Sequence, residues 1–226
     1  MHLNLNAHEV FEFTVSNHTF VVTMSVILQW VIVAVIIVSV PLLTRNLSKI
    51  PSKKQTVIEG VVNLFNGLVC SNLGNEYKKR FVPFIGTLGI FIVMMNITGL
   101  FGFAPSTKDI NVTLTLALIA AFVINANSIA NNGLGGYLHG YLKPFPFMLP
   151  MNIIEKLTIP LSLCLRLFIN MLVGVVFMEL IYIAMGHFAF ILPIPLHFFF
   201  DLFVAVIQTY VFIILTIIFT KTAVEE

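Results

Sequence analysis

Charge is scarce in this chain. Only 10% of its 226 residues are Asp, Glu, Lys or Arg, while 58% are hydrophobic, and the mean hydropathy is +1.00. A water-soluble chain of this length and composition would expose large apolar patches, so a soluble enzyme is excluded and the solvent is lipid. Cysteine is nearly absent as well. Cys70 and Cys164 are the only two, their spacing suits neither a disulfide framework nor a metal site, and both read as small apolar packers. No phosphate-cradling glycine loop, nucleophile arrangement or metal-ligand cluster is found. No lysine or arginine precedes Arg45 and no small-residue cleavage pattern follows the first apolar run, so that run is expected to stay as a membrane helix. A net charge of +2, with basic residues beside apolar segments rather than in one patch, gives no reason to expect nucleic acid as a partner.

Long apolar runs fill the remainder. Several reach the roughly 20 residues that cross a hydrocarbon core of about 30 Å, and backbone amides in lipid leave only helices or closed barrels, of which long uninterrupted runs exclude the barrel. The expected fold is an all-α membrane protein, a single membrane domain over residues 1–226. Five membrane-embedded helices are expected at Thr19–Leu43, Phe81–Phe103, Val112–Ala130, Met151–Gly186 and Leu196–Thr220, plus an interfacial amphipathic helix at Gln55–Asn75, where Glu59, Asn63 and Asn66 interrupt the apolar residues. The stretch NNGLGGYLHGYLKPFPFMLP is expected to end the third span, because its glycines and prolines do not continue a helix. Met151–Gly186 would be about 54 Å long if wholly helical, which predicts a strong tilt, and Pro160 is a candidate kink.

Basic residues give the orientation. Arg45, Lys49, Lys53, Lys54, Lys78, Lys79, Arg80, Lys143, Lys156 and Lys221 fall on one side of this arrangement and Lys108 on the other. The positive-inside rule then predicts an external N-terminus and a cytoplasmic C-terminus.

Arg166 stands apart from all of these, within the apolar sequence LSLCLRLFINM. Arginine at mid-helix costs about 2.5 to 3.5 kcal/mol on the insertion scale, and the guanidinium does not deprotonate to escape it. Snorkelling or a structural ion pair is the bland explanation; an ion pathway is the functional one. Ser162 and Asn170, four residues to either side, share its helix face, and Glu155 returns to within about 20° of it. Asn170 alone reads equally as an interhelical hydrogen bond. The last helix carries Asp201 and Gln208, about 20° apart around its axis; Asp201 is either a buried titrating acid or a plain salt-bridge partner. Glu179 lies on roughly the opposite face from Arg166, and His187 follows it as a second titratable group, or as an ordinary surface histidine. A fixed cation between separate polar groups is what two ion half-channels need, since it blocks direct passage between them.

The stretches LPMNIIEKLTIPLSLCLRLFINMLVG, NVTLTLALI, MMNITGLFG and VIQTYVFIILTIIF closely resemble subunit a of F-type ATP synthases, and the likeness spans about Gln55 to Thr220. The resemblance implies a non-catalytic, ion-translocating stator in a bacterial plasma membrane, with no cofactor and with H+ or Na+ as the translocated ion. Its partners would be membrane lipid, the c-ring, whose carboxylates pass Arg166, the subunit b peripheral stalk and the other ATP synthase subunits. The two long helices would form a nearly horizontal hairpin against that ring. Asn170 and Gln208 match the polar partners of the family's arginine, and Glu155 and Asn111 match polar positions at the channel ends. Three departures accompany these matches. Val175 stands where many members carry a glutamate, with Glu179 one turn later; Asp201 replaces a histidine or glutamate, and Ile169 a glycine. The alternative is a stand-alone secondary transporter or channel that binds an anion at Arg166. No carboxylate on its own helix is placed to pair with Arg166, which speaks for an acid on a partner subunit.

Overall fold

A computed structural model describes residues 9–15, 18–45, 52–101, 105–140, 147, 149–185 and 193–225. Two strands, β1 (Glu9–Val15) and β2 (His18–Thr23), pair antiparallel, with Phe13 opposite Phe20. Helices follow: α1 (Met24–Thr44), α2 (Lys53–Leu73), α3 (Lys78–Ile97), α4 (Ile110–Gly140) and α5 (Leu149–Met185). A short helix α6 (Pro193–His197) passes through a π-helical segment, Phe198–Val204, into α7 (Ala205–Glu225). Among the described residues, six helices are long and apolar enough to cross a membrane, and α2 is the least apolar of them.

Three expectations need correcting. The first span begins at Met24 rather than Thr19, because the β-branched and aromatic residues of HTFVVT form a strand. Apart from that hairpin every described element is helical, in keeping with the all-α class. Helical structure in α4 extends to Gly140 rather than ending near Ala130, and the glycine-rich stretch interrupts the helix only at Gly133 (φ 70°, ψ 165°), a conformation open to glycine. The last helical segment begins at Pro193 rather than Leu196, since a proline in the first turn, here Pro193 or Pro195, forfeits no helical hydrogen bond.

Local chemistry explains the remaining boundaries. Ser52 caps α2, its Oγ accepting from the Gln55 amide at 3.4 Å, and Gly74 ends that helix at φ 93°. Asp109 caps α4 by accepting the Asn111 amide at 3.0 Å. Thr209, Thr216 and Thr220 are buried on α7 and turn their hydroxyls back to the carbonyls four residues earlier, which satisfies them where no water is at hand.

The core forms where α1, α3, α4, α5 and α7 meet, around Ile32, Ile92, Ala117, Leu163, Leu167 and Phe212. A second cluster joins α2 to α3 and α7 through Val69, Phe81, Ile85, Ile213 and Ile217. Small residues permit the close approach: a Cβ on Gly89 would lie 2.6 Å from Ile213 Cδ1. By contrast α1 is largely exposed, with Trp30, Ile37, Val38 and Leu42 outward. In water that surface would aggregate; in lipid it is the natural one.

Candidate functional site

The hairpin of α5 with α6 and α7 carries most of the polar residues expected to act. Along α5, Asn170 meets Gln208, Phe177 meets Phe200 with ring centroids 5.3 Å apart, and Tyr182 meets His197, so the two limbs run antiparallel. Phe200 also packs near Gly174, where a Cβ would make ordinary contact with the ring at 3.8 Å.

Ser162, Arg166 and Asn170 line one open groove on the outer side of α5, with Thr158, Leu161, Leu165 and Ile169 around them. The four-residue spacing that suggested a common face is therefore realised in space. Among the described residues the exposed Arg166 makes no hydrogen bond or ion pair; its only intrachain polar company is this groove. Asn170 Nδ2 donates to Gln208 Oε1 at 2.6 Å. Gln208 is only 4% exposed, and its Nε2 has no partner among the described residues. Ile169, the residue that departs from the resemblance, faces outward beside Arg166.

Asp201 belongs to a different cluster. Its Oδ2 lies 2.6 Å from His197 Nδ1, and His197 Nε2 lies 2.9 Å from the Tyr182 hydroxyl. The ion-pair partner of Asp201 is thus a histidine on its own helical segment, not Arg166. Gly99, in the turn after α3, packs against the carboxylate so closely that a Cβ would lie 2.8 Å from Asp201 Cγ. The π-helical geometry of Phe198–Val204 surrounds Asp201, and such insertions re-aim side chains at functional sites.

His197 and Tyr182 were not singled out from the sequence. The i, i+4 spacing of His197 and Asp201 was the available signal, while Tyr182 is 15 residues from His197 and meets it only through the hairpin. Glu179 is half-buried on α5, Glu155 is exposed near its start, and Asn111 is exposed in the first turn of α4. None of these three side chains joins either cluster by a hydrogen bond or ion pair among the described residues. His187 lies outside the described residues.

Comparison with known proteins decides the family. Residues 26–221 match the family model for the ATP synthase A chain. This chain belongs to that family. Similar relatives include the sodium ion specific ATP synthase subunit a of Propionigenium modestum, 33% identical over 223 residues that cover 92% of this chain and 76% of the relative. The ATP synthase subunit a 1 of Hahella chejuensis is 34% identical over 203 residues, covering 89% and 84%. The subunit from Moorella thermoacetica is 33% identical over 194 residues, covering 85% and 87%. Membership in the ATP synthase subunit a family and six apolar helices together fit an integral membrane protein.

Proposed function

We propose that this chain gives ions two half-channels to a ring of c subunits, with Arg166 separating them, and so couples ion flow to ring rotation and ATP synthesis. The observation that carries this reading is an arginine on the outer side of a membrane helix with no acid paired to it among the described residues. Such a charge is costly in lipid, and a ring of carboxylates passing the groove supplies the missing partner one at a time. Asn170, fixed by Gln208, stands one turn along the same face and holds polar character beside the guanidinium.

Two separated polar clusters suit two access paths. Ser162 and Glu155 precede Arg166 on α5 and would line the cytoplasmic one. The Tyr182–His197–Asp201 chain would serve the external one, with Glu179 standing in for the acid that Val175 lacks and with His187 and Asn111 toward the outer surface. Hydrogen-bonded imidazole, phenol and carboxylate groups pass protons readily, which favours the proton; sodium, named for the Propionigenium relative, is the alternative, and ATP synthesis without added sodium separates the two.

The same reading orders the helices. As α5 has 37 residues, about 56 Å of helix, it exceeds the membrane thickness and would lie tilted against the ring with α7. With Glu59, Asn63 and Asn66 along it, α2 would lie at the interface, leaving five membrane-embedded helices, an external N-terminus and a cytoplasmic C-terminus in a bacterial plasma membrane. Subunit b and other ATP synthase subunits would hold the chain as a stator, and the chemistry of ATP would belong to the soluble catalytic sector rather than to this chain.

Cysteine cross-linking tests the reading. With Cys70 and Cys164 replaced, a cysteine at Leu165 or Ile169 should form a disulfide with one placed beside the ring carboxylate. Absence of a cross-link at both positions, with assembly intact, contradicts it.

A further inference from the structure

Away from the hairpin, a recess lies between the beginning of α3 and the middle of α4, lined by Arg80, Phe81, Phe84, Val123, Ala126 and Asn127. Arg80 belongs to the first turn of a helix apolar enough to cross the membrane and follows Lys78 and Lys79; all three are exposed. The recess therefore opens at a membrane edge, where basic residues collect.

Asn127 is 4% exposed, and neither its Nδ2 nor its Oδ1 has a partner among the described residues. Its neighbours on α4 differ. Ser128 donates to the Ala223 carbonyl, and Asn132 Nδ2 donates to the Val224 carbonyl at 3.2 Å. Leaving a buried amide unmatched costs about 1 to 3 kcal/mol, so a wholly unmatched Asn127 calls for a guest. That guest needs an acceptor for Nδ2 and a donor for Oδ1. Arg80, which makes no hydrogen bond or ion pair among the described residues, asks for an anion with planar, two-point geometry. Phe81, Phe84 and Val123 ask for an apolar body.

We propose that this recess binds an anionic phospholipid by its headgroup. The phosphodiester oxygens accept from the Arg80 guanidinium and from Asn127 Nδ2, a headgroup hydroxyl donates to Asn127 Oδ1, and the glycerol and upper acyl carbons lie along the aromatic wall. Basic pockets between membrane helices recognise lipid headgroups in this manner. Free phosphate shares the anionic chemistry but offers nothing to the apolar wall. The site is independent of Arg166 and of the ion path.

A photoreactive phosphatidylglycerol with its diazirine high in the acyl chain tests this on the whole ATP synthase complex, with peptide mass spectrometry locating the label. Label is expected within residues 80–84 and 123–127, reduced at least about tenfold by Arg80→Gln, as loss of a charged hydrogen-bond donor implies. Lys79→Gln should leave it unchanged, and excess inorganic phosphate should not displace it. Should Arg80→Gln fail to assemble, Ala126→Phe decides, because it fills the recess while keeping both polar groups and should also abolish the label. Absence of label there would mean that the recess holds only water, and label at the wild-type level in both Arg80→Gln and Ala126→Phe would mean that it does not come from the recess; either result overturns the proposal. Displacement by inorganic phosphate would instead make it a free-anion site and overturn the lipid assignment.

Discussion

Asn170 Nδ2 and Gln208 Oε1, 38 residues apart in sequence, are joined by a 2.6 Å hydrogen bond that ties α5 to α7 one helical turn from Arg166. Interhelical bonds of this type in membranes contribute about 0.6 kcal/mol on average and up to about 1.7, too little to hold the hairpin alone. Their effect is to fix orientation. Gln208→Leu should therefore lower the melting temperature of the complex only slightly while reducing ion-driven ATP synthesis several-fold. Asn170→Leu should do the same, and the double variant should lose little more than either single one. Strictly additive losses would show that the pair does not act together.

Gly99 and Asp201 are in equally close contact. A methyl group at position 99 would meet the carboxylate at 2.8 to 3.1 Å, so Gly99→Ala must push Asp201 away from His197 or shift the turn after α3. Ion-driven synthesis should fall well below wild type with assembly preserved. Full activity in Gly99→Ala would mean that the position of Asp201 is not critical.

The bonded chain from Tyr182 through His197 to Asp201 makes graded predictions. His197→Gln breaks the chain at the imidazole that joins the phenol to the carboxylate; it should slow synthesis more than Tyr182→Phe, which removes one hydroxyl at the end. Glu179→Gln should also slow it, if less directly, because Glu179 makes no bond to the chain. Rates at wild-type level in both His197→Gln and Glu179→Gln would remove the external path from this part of the molecule.

Gly133 makes a stability prediction that does not involve ions. At φ 70° and ψ 165° only glycine is comfortable, and any other residue is strained by about 1 to 3 kcal/mol. No neighbour lies within 4 Å of a Cβ there, so the strain would come from the backbone alone. Gly133→Ala should make the membrane-embedded chain more easily digested near residue 133, with ion translocation retained. Unchanged proteolysis would contradict the bend.

Much of this architecture was legible in the residues. Apolar runs mark the helices because lipid tolerates little else, and Arg166 is visible because a charge is so costly there. The shared face of Ser162, Arg166 and Asn170 follows from helical periodicity, and the great length of α5 from counting. What stayed hidden depends on tertiary choices. The β1–β2 hairpin and the continued helix beyond Gly133 depend on local preferences close to balance. The π-helical segment around Asp201 is one extra residue per turn with no residue-type signature, and Tyr182 reaches His197 only after two helices pack. Nothing in the sequence distinguishes Asn127 from the other asparagines of α4; its burial without a partner among the described residues arises from packing.

Ion flux through reconstituted vesicles tests the role of Arg166 most directly. If its charge blocks a direct route between two access paths, Arg166→Ala in the assembled complex should abolish ATP synthesis while an imposed membrane potential still drives ions passively across. Normal coupled synthesis in Arg166→Ala would contradict that role.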